Sequence, residues 1–437
     1  MRRLRHLAIG VCILIAFGAV TFHSQTRQPN ASLAAGLVEL NRGNIFEAIR
    51  IFKEIVRAEP SSPAASFYLS GLYTGMGRYG TAYGYLKTAM RDNTSLGAYY
   101  HQLGVIRRAE GCRPEALAAF QQALKAGMGK DEASAWRQIG DMQMDLLDWD
   151  KALDAYQNVL RLQPEDASAR LALGRLYLDR NDLQRAVIEL RKALESATPP
   201  DGVHSSLGRA YRALGNLESA ASILQKGVEQ SPADQESLYM LGQVLLALGR
   251  DKDGRRVMDE YQSLQERLSR TNSQFEAAIE RAQSGELDRA EALLKESLRL
   301  APRYAPALQA LGVVQLNRGN TQGALEMLKQ AQISNPLNAE TYFSMGTAYL
   351  RSGKLSEALD MTLRAQILDV DDPRYPTQLG EIYSKMNRTA ESRAAFDLGR
   401  ELQSRPGYRP ADPYASEMRH RDDSATVKAI CGYDADK

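Results

Sequence analysis

Cysteine, histidine and net charge are all in short supply in this chain of 437 residues, and each shortage closes off a class of chemistry. Three cysteines, Cys12, Cys112 and Cys431, are too few for a disulfide framework or a thiolate metal site. Cys12 falls in an amino-terminal apolar run, which leaves Cys112 and Cys431 as the one conceivable pair, and nothing in their spacing favours it. The five histidines, His6, His23, His101, His204 and His420, are dispersed, and none forms a helical pair with another histidine or a cysteine. No metal ligation is expected from them. With 55 Lys and Arg against 53 Asp and Glu, the net charge is only +2, so no global field draws the chain to nucleic acid or to an anionic membrane. Any charge selectivity is local. A phosphate-loop lysine motif and a serine nucleophile elbow are also lacking, and no cofactor is expected.

What is present is an ordinary globular composition, 44% hydrophobic and 25% charged, with ample apolar content for a long core. The amino terminus carries a targeting signal. Arg2, Arg3 and Arg5 precede an uncharged apolar run from Leu7 to Phe22, and the chain then turns polar from His23 to Pro29. By the positive-inside tendency, everything beyond Phe22 is exported. The run of residues 7–22 would rise about 24 Å as a helix against a hydrocarbon core of about 30 Å, which suits either a signal peptide or a retained anchor. Cleavage after Ala16-Phe17-Gly18 would leave Ala19 to Phe22 as an apolar stub, so the retained anchor is preferred. A lipoprotein reading at Cys12 is weaker, because bulky Val11 precedes the cysteine and the apolar run continues past it.

Internal periodicity sets the fold. Small residues recur at Gly36, Ser70, Gly104, Gly140, Gly174, Gly208, Gly242, Ala278, Gly312, Gly346 and Gly380, 34 residues apart except for two steps of 36. A second series follows twelve residues behind each: Ala48, Ala82, Ala116, Ala152, Ala186, Ala220, Gly254, Ala290, Ala324, Ala358 and Ser392. Two antiparallel helices whose axes cross closely need a small residue on each at the crossing, and this pairing supplies it. Apolar residues recur around them at helical spacing, as in Leu171, Leu173, Leu176 and Tyr177 followed by Val187, Leu190 and Leu194. Glycines seven residues after the first small position, from Gly43 to Gly353, are placed to end the first helix in the left-handed conformation. Prolines at 60, 164, 232, 302 and 336 close the second helix.

This pattern resembles the tetratricopeptide repeat, with Trp136, Ile139-Gly140, Ala152, Tyr156 and Pro164 in the fourth unit and Leu207-Gly208, Tyr211, Ala220, Leu224 and Pro232 in the sixth. The resemblance covers about residues 29–406 and implies an all-α, right-handed superhelical solenoid of about eleven helix-turn-helix repeats. Residues 1–28 then form the signal peptide or anchor, 29–262 repeats one to seven, and 273–406 repeats eight to eleven. Between them 263–272 reads as a helical linker or bend, because Gly254 replaces the usual alanine, the closing proline is missing and the stretch is polar and over length. The tail 407–437, rich in proline and then in charge, reads as mostly unstructured.

Two local motifs invite chemistry and decline it. Gly75-Met76-Gly77-Arg78-Tyr79-Gly80 satisfies the dinucleotide-binding glycine pattern, but it falls in the turn of repeat two with no strand before it. Asp369, Asp371 and Asp372 lack the remaining oxygen ligands of a calcium loop and read as turn and cap residues.

In the tetratricopeptide family the groove is lined by residues three before and one, four and five after the first small residue. The resemblance therefore assigns a partner-binding groove to His101 and Arg108, to Arg137, Asp141 and Asp145, to Arg175 and Asp179, and to Arg209 and Arg212. Five arginines face three aspartates there, and the planar guanidinium fork suits an acidic peptide segment or a free carboxy terminus. Arg137 with Asp141, and Arg175 with Asp179, stand four apart on one helix, where local pairs worth about 0.2–0.5 kcal/mol are the bland alternative. The equivalent positions of repeats nine and ten, Gln309, Val313, Leu316, Phe343, Thr347 and Leu350, are less charged and suit an apolar partner helix. Leu37, where some relatives carry asparagine, argues against a chaperone-tail clamp. The expected function is a membrane-tethered, extracytoplasmic, non-catalytic scaffold that binds protein or peptide partners and helps assemble an envelope or secretory complex. An accessory subunit presenting substrate to a separate enzyme, such as a glycosyltransferase, is the alternative. An enzyme in its own right is disfavoured, because only the leader and the tail remain once the repeats are subtracted.

Overall fold

A computed structural model describes residues 31–91 and 95–405, so the apolar run 7–22, Cys12, the tail 407–437 and Cys431 lie outside the described residues. Every regular element among the described residues is helical apart from turns, and none is a strand. In chain order the helices are α1 (Ala31–Asn41), α2 (Ile45–Ala58), α3 (Pro63–Gly75), α4 (Tyr79–Ala89), α5 (Leu96–Ala109), α6 (Arg113–Ala126) and α7 (Glu132–Asp145). Then come α8 (Trp149–Leu162), α9 (Ala167–Asp179), α10 (Leu183–Leu194), α11 (Val203–Ala213), α12 (Leu217–Gln230), α13 (Gln235–Ala247) and α14 (Asp251–Gln283). The remainder are α15 (Leu287–Leu300), α16 (Ala305–Asn317), α17 (Thr321–Ser334), α18 (Ala339–Arg351), α19 (Leu355–Leu368), α20 (Arg374–Lys385) and α21 (Thr389–Gln403).

Each hairpin is punctuated by backbone chemistry. At the end of every first helix the chain turns through one left-handed residue, and the next N–H reaches back five positions, as from Asn44 to the Glu39 carbonyl (2.9 Å) and from Asn216 to the Tyr211 carbonyl (2.9 Å). Eight of these turns use the glycines from Gly43 to Gly353. The other three place Leu147, Asn181 and Asn387 at φ 58–59°, each seven residues after its small residue. Asparagine tolerates that conformation, but leucine does not gain from it: Leu147 is 65% exposed, so no burial offsets the backbone cost of about 1–2 kcal/mol. Leu147→Gly is therefore expected to stabilise the fold by about 1 kcal/mol. Urea unfolding checks this, and a midpoint unchanged or lowered contradicts it. Second helices stop two residues before proline, which holds the preceding residue extended, as at Glu59 (ψ 87°) and Gln163 (ψ 82°).

Packing inside a hairpin explains the small-residue series. A methyl group added at Gly104 would lie 2.7 Å from the Phe120 ring, at Gly140 2.7 Å from the Tyr156 ring, and at Gly208 2.5 Å from Leu224. In each case the obstruction is the side chain sixteen positions on, on the second helix. The trailing alanines, among them Ala116, Ala152, Ala186 and Ala220, are fully buried at the same crossings. One glycine outside the series is tighter still, because a methyl at Gly97 would strike the backbone carbonyl of Gly127, which no rotamer change relieves. Gly97→Ala should therefore destabilise by about 1–3 kcal/mol, read from the same urea titration; an unchanged midpoint would contradict the contact.

The chain divides into two compact units, one holding the described residues of 92–267 and the other those of 1–91 and 268–437. In the first, α5/α6, α7/α8, α9/α10 and α11/α12 are successive hairpins, followed by α13 and the first turns of α14, around a core that includes Leu171, Leu190, Leu207, Leu224 and Leu241. In the second, the hairpins are α1/α2, α3/α4, α16/α17, α18/α19 and α20/α21, with α15 and the last turns of α14. Its cores include Ala278, Leu294, Leu311 and Val314. Helix α14 runs unbroken for 33 residues, and residues 263–272 are its middle turns. Past Gly254 it contains neither glycine nor proline to stop it, and Val257, Leu264, Thr271 and Ala278, seven apart, form its buried stripe. No helix among the described residues is long and apolar enough to cross a membrane.

Candidate partner-binding face

The nine residues assigned to the groove all lie on the first helices of hairpins in the unit 92–267, on α5, α7, α9 and α11. Eight of them keep polar atoms at or near the surface. His101 does not, and this corrects the sequence expectation. It is 1% exposed, its ring meets Phe120 edge-on at 5.4 Å, and its Nε2 lies 3.1 Å from the Ser134 hydroxyl. The position rule identifies a helix face, but a flat ring with apolar carbons turns readily into the seam between hairpins. Burial there holds its pKa down to about 4.

The expected same-helix pairs are also replaced. Arg137 bonds to Asp166, the N-cap of α9, and Asp141 instead accepts from Arg108 of the preceding hairpin (3.4 Å). Arg108 also donates to Gln138. Asp179 pairs with Arg209 of the following hairpin (3.5 Å), while Arg175 donates from Nε to the Ser206 hydroxyl (3.1 Å). Arg212 continues the series, donating to Gln243 on α13 (2.6 Å), and Asp145 stands 3.9 Å from Arg113. The reason is geometric. First helices of neighbouring hairpins lie side by side, so a long arginine reaches an acceptor about one repeat away as easily as one turn away on its own helix. The acceptors Gln138, Asp166, Ser206 and Gln243 were invisible to the family position rule; their signal is a polar residue 29–31 positions beyond each arginine.

Charge is unevenly cancelled along this ladder. Arg108, Arg137 and Arg209 face carboxylates, whereas exposed Arg175 and Arg212 bond neutral oxygens and have no carboxylate partner among the described residues. Asp141 is further held by the Tyr156 hydroxyl, which donates to it at 2.9 Å; burial, reinforced by that carboxylate, raises the tyrosine's pKa.

The less charged positions of repeats nine and ten prove less available. Gln309, Val313 and Leu316 on α16 are buried at 2%, 6% and 4% exposure, and Phe343, Thr347 and Leu350 on α18 are half-buried. That open apolar face is therefore corrected to a largely covered one. Beside it, Phe343, Thr347, Arg374, Gln378 and Glu381 line a cavity of about 430 Å³, in which Arg374 is already held by Glu340 and Asp372, each at 2.7 Å.

Gly77 of the glycine motif occupies the turn between α3 and α4 at φ 73°. Asp369 and Asp372 accept backbone N–H groups of Asp371 (3.3 Å) and Arg374 (2.9 Å), and no cluster able to hold a metal exists among the described residues. Cys112 is 2% exposed at the N-cap of α6, and the pairing considered for it with Cys431 lies outside the described residues, as does Cys12.

No curated protein matches the chain. Among solved structures it is similar to Pseudomonas aeruginosa PilF, at 16% identity and TM-score 0.44 over 47% of this chain and 93% of that one. A tetratricopeptide repeat protein from Parabacteroides merdae is similar at 18% identity and TM-score 0.37, over 65% and 93%. YrrB, described as a TPR protein with an unusual peptide-binding site, is similar at 21% identity and TM-score 0.28, over 55% and 99%. One tetratricopeptide repeat model matches residues 33–93, 137–201 and 206–267 and a second matches 281–340. Together these span more than half of the chain, which therefore belongs to the tetratricopeptide repeat family.

Proposed function

We propose that this protein is a non-catalytic scaffold that holds an acidic segment or carboxy terminus of a partner protein on the arginine face of α9 and α11. The observation that carries this reading is the pair Arg175 and Arg212, exposed and facing neutral oxygens, with Arg209 between them in sequence. A partner carboxylate there would gain charge-assisted hydrogen bonds without first displacing a resident carboxylate from either of the two. Tetratricopeptide repeat proteins are generally protein–protein interaction scaffolds, which agrees with this role. Replacing Arg175 and Arg212 together by alanine is expected to weaken an acidic partner peptide about 10- to 100-fold in calorimetric titration while hardly moving stability, because exposed polar contacts contribute little to folding. Binding of the parent should also weaken as salt rises, by screening over about 8 Å at physiological strength. A double variant that binds the peptide as tightly as the parent overturns the assignment.

The same proposal places the scaffold outside the cytoplasm, tethered to the inner membrane by residues 7–22 and helping to assemble an envelope or secretory complex. The charged and then apolar amino terminus supports this. Protease added to intact spheroplasts is expected to digest the repeats, and protection would reverse the topology. A mature terminus near Ala19 would show that the leader is removed.

A further inference from the structure

Within the unit formed by residues 1–91 and 268–437, hairpins far apart in sequence meet. Phe46 on α2 stands edge-on to Tyr342 on α18, 5.2 Å between ring centres at 71°. The Arg364 guanidinium on α19 covers the Phe46 ring at 5.1 Å. Arg78, the N-cap of α4, reaches the carboxy-terminal end of α19, donating from Nε to the Leu368 carbonyl at 2.7 Å and pairing with the Asp369 carboxylate at 2.6 Å. Phe46 and Met76 pack on the small core of Tyr342, Ala365, Leu368 and Tyr375.

Each part of this contact has a physical reason. The last carbonyls of a helix have no partner in their own helix and carry the negative end of its dipole, so a guanidinium at Leu368 satisfies an orphan acceptor and a charge at once. An arginine face on an aromatic ring adds a cation–π contact. The contact is nonetheless thin. The ion pair keeps 24% and 20% side-chain exposure, and of the described residues in the first two hairpins only Phe46 and Met76 join this core. Phe46 and Met76 remain partly exposed.

We propose that the first two hairpins are a releasable clasp on the tenth, closed by Arg78 and Phe46 and opened by salt, so that this unit alternates between a closed form and one in which the aromatic seat around Tyr342 is uncovered. The polar half of the clasp is screened by ions, while the apolar half is too small to hold alone.

A short bismaleimide joining Glu47→Cys on α2 to Asp360→Cys on α19, two exposed positions that both flank Arg364 and leave Phe46, Tyr342 and Arg78 in place, reads the closed population in the full chain, with the linked tryptic peptide measured by mass spectrometry on the monomer fraction. Efficient linkage at low salt is expected, falling about tenfold in 1 M sodium chloride and about tenfold in Arg78→Glu. Exchanging the charges, Arg78→Glu with Asp369→Arg, should restore linkage to within about threefold, which a merely unfolded Arg78→Glu would not permit. Linkage that is absent at low salt, found only in dimers, insensitive to salt, or not restored by the exchange overturns the clasp.

Discussion

Between pH 6.5 and 4 the fold should lose on the order of 3 kcal/mol through His101 alone. Buried against Phe120, the imidazole binds a proton only near pH 4, whereas in the unfolded chain it does so near 6.5. In that window the unfolded state carries more protons, so stability falls as pH falls, by about 1.4 kcal/mol per unit for one site. Above 6.5 both states are neutral and the contribution is complete; below about 4 both are charged and no further loss follows. His204 shifts in the same direction, also by burial. The measurement is urea unfolding of the parent and of His101→Gln at pH 7, 5.5 and 4. The difference between the two proteins should shrink as pH falls, because glutamine does not titrate. A difference independent of pH, or a His101 ring proton titrating near 6.5 by NMR, would falsify the buried neutral imidazole.

Enlarging two helix crossings together should cost a comparable amount or more. Ala186 on α10 and Ala220 on α12 are fully buried in one core with Leu190, Leu207 and Leu224, so three further carbons at either site would have to displace neighbours. Ala186→Leu and Ala220→Leu are each expected to cost about 1–3 kcal/mol, and the double variant about 2–6 kcal/mol. Because the two sites share one core, the costs need not add. Ile188 lies on the same helix at 51% exposure, and Ile188→Ala should move stability by less than about 0.5 kcal/mol. Thermal unfolding followed by circular dichroism separates the outcomes. Equal melting temperatures for the double variant and the parent would mean that the crossing face has been misassigned.

How much of this was legible in advance depends on what periodicity encodes. A small residue every 34 or 36 positions and a turn seven residues later follow from helix geometry, so the hairpins and their crossings could be read from sequence. The turns at Leu147, Asn181 and Asn387 share that backbone without its usual glycine, and only their offset betrays them. Contacts on the groove face were harder. A helical repeat places Arg137 and Asp141 on one side of α7, but it does not decide between a partner one turn away and one on the neighbouring helix, and here the neighbour won. Nor does it give a side chain's direction, which is why His101 reads as surface while its ring is buried. Helix α14 shows the converse: with no breaker after Gly254, two helices of the repeat pattern fuse into one.

The polar ladder along α5, α7, α9, α11 and α13 has a consequence for how such a chain grows. Because each arginine finds its acceptor one hairpin on or one hairpin back, a duplicated hairpin arrives with half of two pairs and the complement of neither. Arg212 copied without Gln243 gains a charge and no seat, and Asp179 copied without Arg209 loses its cation. The inherited module is therefore the seam between two hairpins, and lineages that lengthen this part of the array should copy donor and acceptor positions together.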